Sequence, residues 1–399
     1  MPYVRRMTEA DIEAAVKLRA DAFGGEVARG IQAFREGPRY TWRDGWVVEI
    51  DDGEIAATST SFPVTWWLGG SAYATSAVGG VAVRATERRR GLASQMMRAI
   101  LQADLDAGRS FSMLYPFQHG FYRRLGYATV GFTHFYRMPL TQLPDDPALR
   151  RNVRFLREAD RAAVAEVYRR SLQKYGGFER SAAQWEQRWR TTTMTWVVYD
   201  DGAISGYLAY ERQDAELNVG EFVALTPEAE RGLWAFVAAQ IEQCRSVTYH
   251  APAGTPLWAT LREPLMWEYA NRGFILNDAA TLTAGLMARM IDVPAAFASR
   301  RFDPALAGSL NVALHDPVLD RNNASFAITF AGGEASVEPT SVEPTVRSDV
   351  VTLTQLFCNV LRPTDARWYG LLHADDAAIA LLDRAFGGPG PFLQPADWF

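Results

Sequence analysis

Apolar positions recur with two periods along this chain, and the switches between them mark its elements. TEADIEAAVKLRADAF places Ile12, Ala15, Val16 and Phe23 at helical spacing behind a Thr8 cap and acidic first-turn residues, which predicts a helix. GWVVEIDDGEIAATSTSFPVTWWLGGSAYATSAVGGVAV breaks into β-rich runs at Asp-Asp-Gly and Gly-Gly turns, the pattern of an antiparallel meander. A helix from Gly91, a strand in SFSMLYPF and a turn-rich stretch to GYATVGFTHFYRMPL complete a sheet with helices packed on it, an α+β unit. Trp66 and Trp67 are adjacent in a strand region, so only one can face a cleft.

Beyond a linker at Pro144 to Pro147 the pattern returns. VRFLREADRAAVAEVYRRSL repeats the helix, TWVVYDDGAISGYLAYERQ repeats strand, Asp-Asp-Gly turn and strand, and LNVGEFVALTPEAERGLWAFVAAQI repeats the strand-to-helix step. From about Leu286 a third pattern begins, with short strands around GSLNVALHD and NNASFAITFAGGEASVEPT followed by helices. Ser336 to Thr345, SVEPTSVEPT, reads as a surface loop enlarged by local duplication. The expected units are therefore 1–142, 148–285 and 286–399.

One step is not repeated. Between Val83 and the helix at Gly91 stand Arg88, Arg89 and Arg90, and the second copy has no such cluster. Arginine at a helix start opposes the helix dipole unless an anion lies between them; a solvated basic face is the competing reading. Arg88-Arg89-Arg90-Gly91-Leu92-Ala93 fits Arg/Gln-x-x-Gly-x-Gly/Ala, in which the amides of Arg89 to Ser94 point into one concavity sized for a diphosphate. Small residues at 91 and 93 let the backbone approach it.

Composition narrows the setting. With 399 residues and 48% hydrophobic content the chain is too long for one core. No apolar run approaches the roughly 18 residues of a membrane span, and the start lacks a signal-peptide core, so a cytoplasmic protein with no membrane partner is expected. Net charge −5 disfavours nucleic acid and suits a cationic substrate. Five scattered histidines and two cysteines, Cys244 and Cys358, have no ligand spacing, so no metal and no disulfide are expected.

The strand, the arginine loop and the later Phe121-Tyr122-Arg123-Arg124-Leu125-Gly126-Tyr127 resemble the Gcn5-related N-acetyltransferases (GNAT) over the first 140 residues or so. With the degenerate second copy, the distinct third segment and the aromatic end LQPADWF, the whole length resembles the Eis (enhanced intracellular survival) acetyltransferases. The resemblance implies tandem GNAT-like domains, each a mixed sheet flanked by helices, plus a C-terminal α+β domain like sterol carrier protein. It also implies acetyl-CoA as co-substrate, a homohexamer (trimer of dimers), and amine acceptors of aminoglycoside, lysine or polyamine type.

Carried residue by residue, the resemblance places the cofactor on the backbone of Val81 and Val83, with Ala82 beside the acyl group. Arg88, Arg89, Arg90, Gly91, Leu92, Ala93 and Ser94 take the diphosphate, and Phe117 and Gln118 lie in a loop that touches the cofactor. Tyr122 falls on the family's general acid, and its ordinary pKa of about 10 sits close to that of a leaving thiolate. An ammonium must also lose a proton, and Val78 to Val83 carries no carboxylate, while Glu87 reads as a solvated charge. The resemblance assigns the base to the C-terminal carboxylate of Phe399, for direct attack of the amine on the thioester. Burial of Trp398 and Phe399 would pin that end. Phe23, Glu26, Phe34 and Trp398 are the expected acceptor-pocket residues, although family members often carry an acid where Trp398 stands. A carrier of lipid or acyl-CoA without turnover is the alternative.

Overall fold

The Gly45 meander forms as its alternation predicts. In this computed structural model, which describes residues 2–264 and 278–399, β1 (Tyr3–Arg6), β2 (Gly45–Glu49), β3 (Ile55–Leu68) and β4 (Ser71–Val83) run antiparallel in that order. Two helices follow the first strand: α1 (Ile12–Phe23), which buries Ile12, Ala15, Val16 and Leu18, and α2 (Val27–Glu36). Helix α3 (Leu92–Asp106) then buries Leu92, Met96, Met97, Ile100 and Leu101 on one face and delivers the chain to β5 (Phe111–Leu114), parallel to β4. The short α4 (His119–Arg123) leads to β6 (Ala128–Thr129).

The sheets do not respect the expected boundaries. Met287–Met290, from the expected third unit, fills the gap between β5 and β6, and Gly177–Phe178, from the second, pairs with β3. In return Phe132–Pro139 leaves the first unit and pairs with Ser246–Pro252 and Thr281–Ala284 of the second sheet. Each exchange covers backbone donors that a strand edge would otherwise leave unpaired, so the three units share hydrogen bonds. Residues 265–277 of the expected 148–285 unit lie outside the described residues.

The second sheet continues through Glu216–Ala224, Ile204–Gln213, Thr195–Asp200 and Val153–Phe155. The duplication is visible in its ion pairs: Arg5 holds Asp11 and Glu49, and Arg154 holds Asp160 and Asp200, each tying a strand to the turn that starts the next helix. The third unit is a five-stranded sheet with helices, ordered Glu334–Pro339, Ser325–Ala331, Gly308–His315, Val346–Asp349, His373–Ala374. Here the SVEPT repeat is only half a loop. Ser336 to Pro339 of its first copy lie in the edge strand Glu334–Pro339, where exposed Glu334 and Glu338 and a terminal proline discourage further pairing.

Trp66 is buried in the core shared with the third unit and Trp67 packs toward the second, so the adjacent pair bridges two neighbours. Cys244 and Cys358 are free and buried. No helix among the described residues is long and apolar enough to cross a membrane.

Candidate active site

The loop before α3 has the backbone an anion needs. Arg89 has φ +64° and Gly91, which caps the helix, has φ +82°. Left-handed residues alternating with ordinary ones turn successive amides inward. A non-glycine residue held at positive φ costs on the order of 1 kcal/mol, so Arg89 is a strained position at the mouth of a cavity. That cavity is about 820 Å³. Val81, Ala82, Val83, Arg88, Arg89, Gly91, Leu92, Ala93, Ser94, Phe117 and Gln118 all line it. Arg90 does not: its guanidinium pairs with Glu87, whose side chain is largely covered instead of solvated.

Two cavity arginines escaped sequence reasoning, Arg98 and Arg124. Arg98 carried a usable signal, since it sits two helical turns beyond Gly91 on the same face. Glu87 is the sole carboxylate among the cavity's lining residues. The second copy shows what the absence of the cluster means. Its corresponding helix, Pro227–Ala238, starts with proline and carries Glu228 and Glu230 in the first turn, acids that occupy the positive end of the dipole.

The strand leading into the loop is open on one side. The β4–β5 ladder ends at Val78 opposite Leu114, so among the described residues Gly79 to Val83 pair only with β3. Between Thr58 and Thr60 the β3–β4 register slips, with one extra residue on β4 around Gly80, whose φ is +60°. The bulge swings the strand away from β5 and leaves an edge free for an extended ligand. A Cβ at Gly80 would lie 2.6 Å from the Arg19 guanidinium carbon, so that side chain would have to shift to admit one.

Tyr122 lies on α4, beneath Phe117 and Phe121, with ring centroids 5.4 and 4.9 Å away. It is buried just under the cavity floor, and burial pushes its phenol well above the ordinary value. The close match to a thiol's acidity expected from the sequence gives way to a hydroxyl that stays protonated at all physiological pH.

The chain's end reaches the opposite side of Gly79. The Phe399 ring packs edge-on against Phe62 and Tyr115, centroids 5.8 and 5.5 Å away, and lies 4.0 Å from where a Cβ on Gly79 would be. Its anchor is polar as much as aromatic. Buried Asp397 accepts two hydrogen bonds of 2.8 Å from Arg180 and one of 2.9 Å from the Tyr168 hydroxyl. Arg180 also donates to buried Glu221 at 2.7 Å, which receives Arg188 and the Tyr207 hydroxyl as well. Arg39 donates to the Trp398 carbonyl at 3.0 Å. The second GNAT-like unit thus holds the tail. Partners so distant in sequence carried no local signal.

A second cavity of about 340 Å³ opens here, lined among others by Arg39, Phe62, Phe178, Arg180, Asp397 and Phe399. None of the four expected acceptor residues lines this second cavity. Phe34 is 2% exposed, packed in the core under Arg19; Glu26 is an exposed residue before α2; Phe23 lines the first cavity. Trp398 remains 40% exposed and turns toward His250 and Tyr115, because Phe399 alone takes the inward position.

Fold and site together define an arginine-lined cavity that runs into the open edge of β4, and a second cavity at the chain's end. Family models match in three pieces: an acetyltransferase (GNAT) domain over residues 3–130, another over 176–283, and a sterol carrier protein domain over 293–394. An uncharacterized N-acetyltransferase of Streptomyces griseus is 27% identical over 284 residues, which span 63% of this chain and 65% of that protein, just under two thirds of its length. One from Streptomyces avermitilis is 26% identical over 221 residues, covering 47% of this chain and 51% of that one. Among solved structures, a GCN5-related N-acetyltransferase from Anabaena variabilis superposes with TM-score 0.86 at 20% identity, covering 100% of both chains. One from Kribbella flavida gives 0.84 at 24%, covering 100% of this chain and 98% of that one. Eis1 from Mycobacterium abscessus gives 0.80 at 21%, covering 100% of both; at these identities the likeness is one of fold. The chain thus carries two acetyltransferase (GNAT) domains followed by a sterol carrier protein domain, a fold it shares over its whole length with Eis1.

Proposed function

We propose that this protein transfers an acetyl group from acetyl-CoA to a primary amine. One observation carries the reading: the arginine-lined cradle before α3 runs directly into the unpaired edge of β4 at Gly79 to Val83. The residues present fit the nucleotide and its arm, since inward amides at Arg89 and Gly91, open space at Gly91 and an excess of arginine suit a diphosphate. When bound, acetyl-CoA supplies an activated thioester.

The chain's own groups do the rest. Amides from Arg89 to Ser94 hold the diphosphate, and the free backbone of Val81 and Val83 aligns the pantetheine arm as an added strand would lie. An amide near Val81 polarises the thioester carbonyl. The amine enters from the Phe399 side of Gly79. Its nitrogen bonds to the carbonyl carbon, the carbon–sulfur bond breaks, and the Tyr122 hydroxyl hands its proton to the departing sulfur. The arriving ammonium first gives one proton to solvent; the proton that the nitrogen sheds after attack passes to the Phe399 carboxylate, directly or through one water, and is released to solvent, from which Tyr122 regains its own. The products are the N-acetylated amine and the CoA thiol.

The test is release of free thiol from acetyl-CoA by the purified chain, with and without primary amines. Amine-dependent release accompanied by an acetylated amine is expected. Acetyl-CoA binding without amine-dependent release would remove the reading.

A further inference from the structure

One peptide unit on the open edge of β4 is held by side chains as well as by the sheet. Every second residue of β4 turns its backbone to β5: the Ala74 carbonyl accepts from the Ser110 amide at 2.8 Å, and the ladder then runs to Val78. By that alternation Gly79 presents its backbone to β3, and the Gly80 amide faces the side that β5 has left. Two hydroxyls of β3 enforce the same orientation. The Gly79 carbonyl accepts from Thr60 Oγ1 at 3.1 Å and from Ser59 Oγ at 3.2 Å. In a trans peptide the carbonyl and the following N–H point in opposite directions, so an oxygen held on the β3 side aims the Gly80 N–H at the vacated edge. Thr60 directs its proton to this carbonyl, whereas Ser59 shares its own with the Thr60 carbonyl at 3.4 Å. Both hydroxyls are buried, while Gly79 and Gly80 are half-buried and open to a ligand.

The second copy separates scaffold from function. Aligned on the Asp-Asp-Gly turns at 51–53 and 200–202, Ser59 and Thr60 correspond to Leu208 and Ala209. The bulge itself persists there, with the register slipping between Ala209 and Tyr210. The slip therefore needs no hydroxyls, and the copy that lacks the arginine cluster lacks them too. Arg19 adds a charge at the same peptide. Its guanidinium lies against Gly80, with Nε and Nη2 buried and without a hydrogen-bond partner. Burial draws its pKa down to about 10, so it stays charged at neutral pH, and the group that faces it is the Tyr40 phenol and not an acid. A cation left uncompensated there favours negative charge developing beside Gly80.

We propose that Thr60, assisted by Ser59, is a positioning residue for acyl transfer: the hydroxyls lock the Gly79–Gly80 peptide so that the Gly80 N–H donates to the thioester oxygen as charge builds on it. This rests on the acetyl-transfer reading of the cleft and deepens it, by naming the amide that polarises the carbonyl and the side chains that aim it.

The experiment binds acetyl-CoA carrying a 13C-labelled carbonyl to the full chain and reads that carbonyl by isotope-edited infrared spectroscopy. Kd comes from calorimetry, and kcat and KM from thiol release with spermine as acceptor. In the unaltered chain the carbonyl stretch should lie below its frequency in water. Thr60→Val keeps the shape and deletes the hydroxyl; it should return the band toward the free value and lower kcat about tenfold, with the acetyl-CoA Kd changed less than about twofold. Thr60→Ser restores the hydroxyl and should recover the band and most of the rate. Ser59→Ala should move both readouts the same way by a smaller step, and it carries the test if Thr60→Val does not fold. An unchanged band in the variant that folds, or a Thr60→Ser chain as impaired as Thr60→Val, overturns the proposal. A band that Thr60 controls, with no amine turned over, would support the positioning and remove acetyl transfer; turnover with a band indifferent to Thr60 would do the reverse.

Discussion

Glycines at 91 and 126 both sit at positive φ, +82° and +85°, yet their surroundings differ. A Cβ at Gly91 meets open space, whereas one at Gly126 would overlap the Arg289 guanidinium and touch Val350. Gly91→Ala should therefore cost only about 1 kcal/mol of backbone strain, and Gly126→Ala about 3 kcal/mol or more once overlap is added. Denaturant unfolding midpoints would separate them; equal losses would mean that the Arg289 contact carries nothing. At the chemistry itself, Tyr122→Phe deletes one hydroxyl from a fully packed ring. Turnover should fall by about 10²-fold with acetyl-CoA affinity unchanged, and unaltered turnover would strip Tyr122 of the acid's role.

At the scale of elements, the arginine loop and the helix it caps act together. Charge reversal at Arg88 and Arg89 should weaken acetyl-CoA binding most at low salt, because their side chains are exposed and screened. The same change at Arg90, tied to Glu87, should matter less. Calorimetry at two ionic strengths reads both. The β1–α1 junction gives a pH prediction. Hydrogen bonds from Arg5, then from Thr8, hold the Asp11 carboxyl down from 3.8 to about 2. A depressed acid contributes its full stabilisation above its unfolded value and loses it as pH falls through the folded one. Asp11→Asn should thus cost about 2 kcal/mol at neutral pH, a deficit that shrinks between pH 4 and 2 in acid-unfolding curves.

At the scale of the whole molecule, buried charges on one unit hold the tail that ends another. Asp397 and Glu221 are buried carboxylates whose charges are matched by Arg180 and Arg188. Removing one partner of such a pair strands the other and costs about 3 kcal/mol or more. Arg180→Met should free the tail: turnover collapses, while acetyl-CoA affinity, set on the far side of Gly79, stays. A loss of cofactor affinity to the same degree would mean general unfolding. The third unit reaches the same centre by another route. Buried Arg289, on the strand inserted between β5 and β6, is held by Asp316 at 2.6 Å and donates to the Leu125 carbonyl, just past Tyr122.

Local chemistry made much of this legible in the sequence. The helix α1 face, the Asp-Asp-Gly meander, the duplication and the arginine-glycine start of α3 depend on residues within one turn or one hairpin of each other, where spacing and dihedral preference decide. The same holds for most of the arginine-lined cavity, since its residues fall on one strand–loop–helix run. What only tertiary structure decided are the pairings between distant segments: three strands exchanged between units, the pair of arginines under Asp397 and Glu221, and which of the last two aromatics faces inward. Those depend on which strand edges remain unpaired and which buried charges need partners once the sheets have formed, and neither quantity exists until the chain has closed on itself.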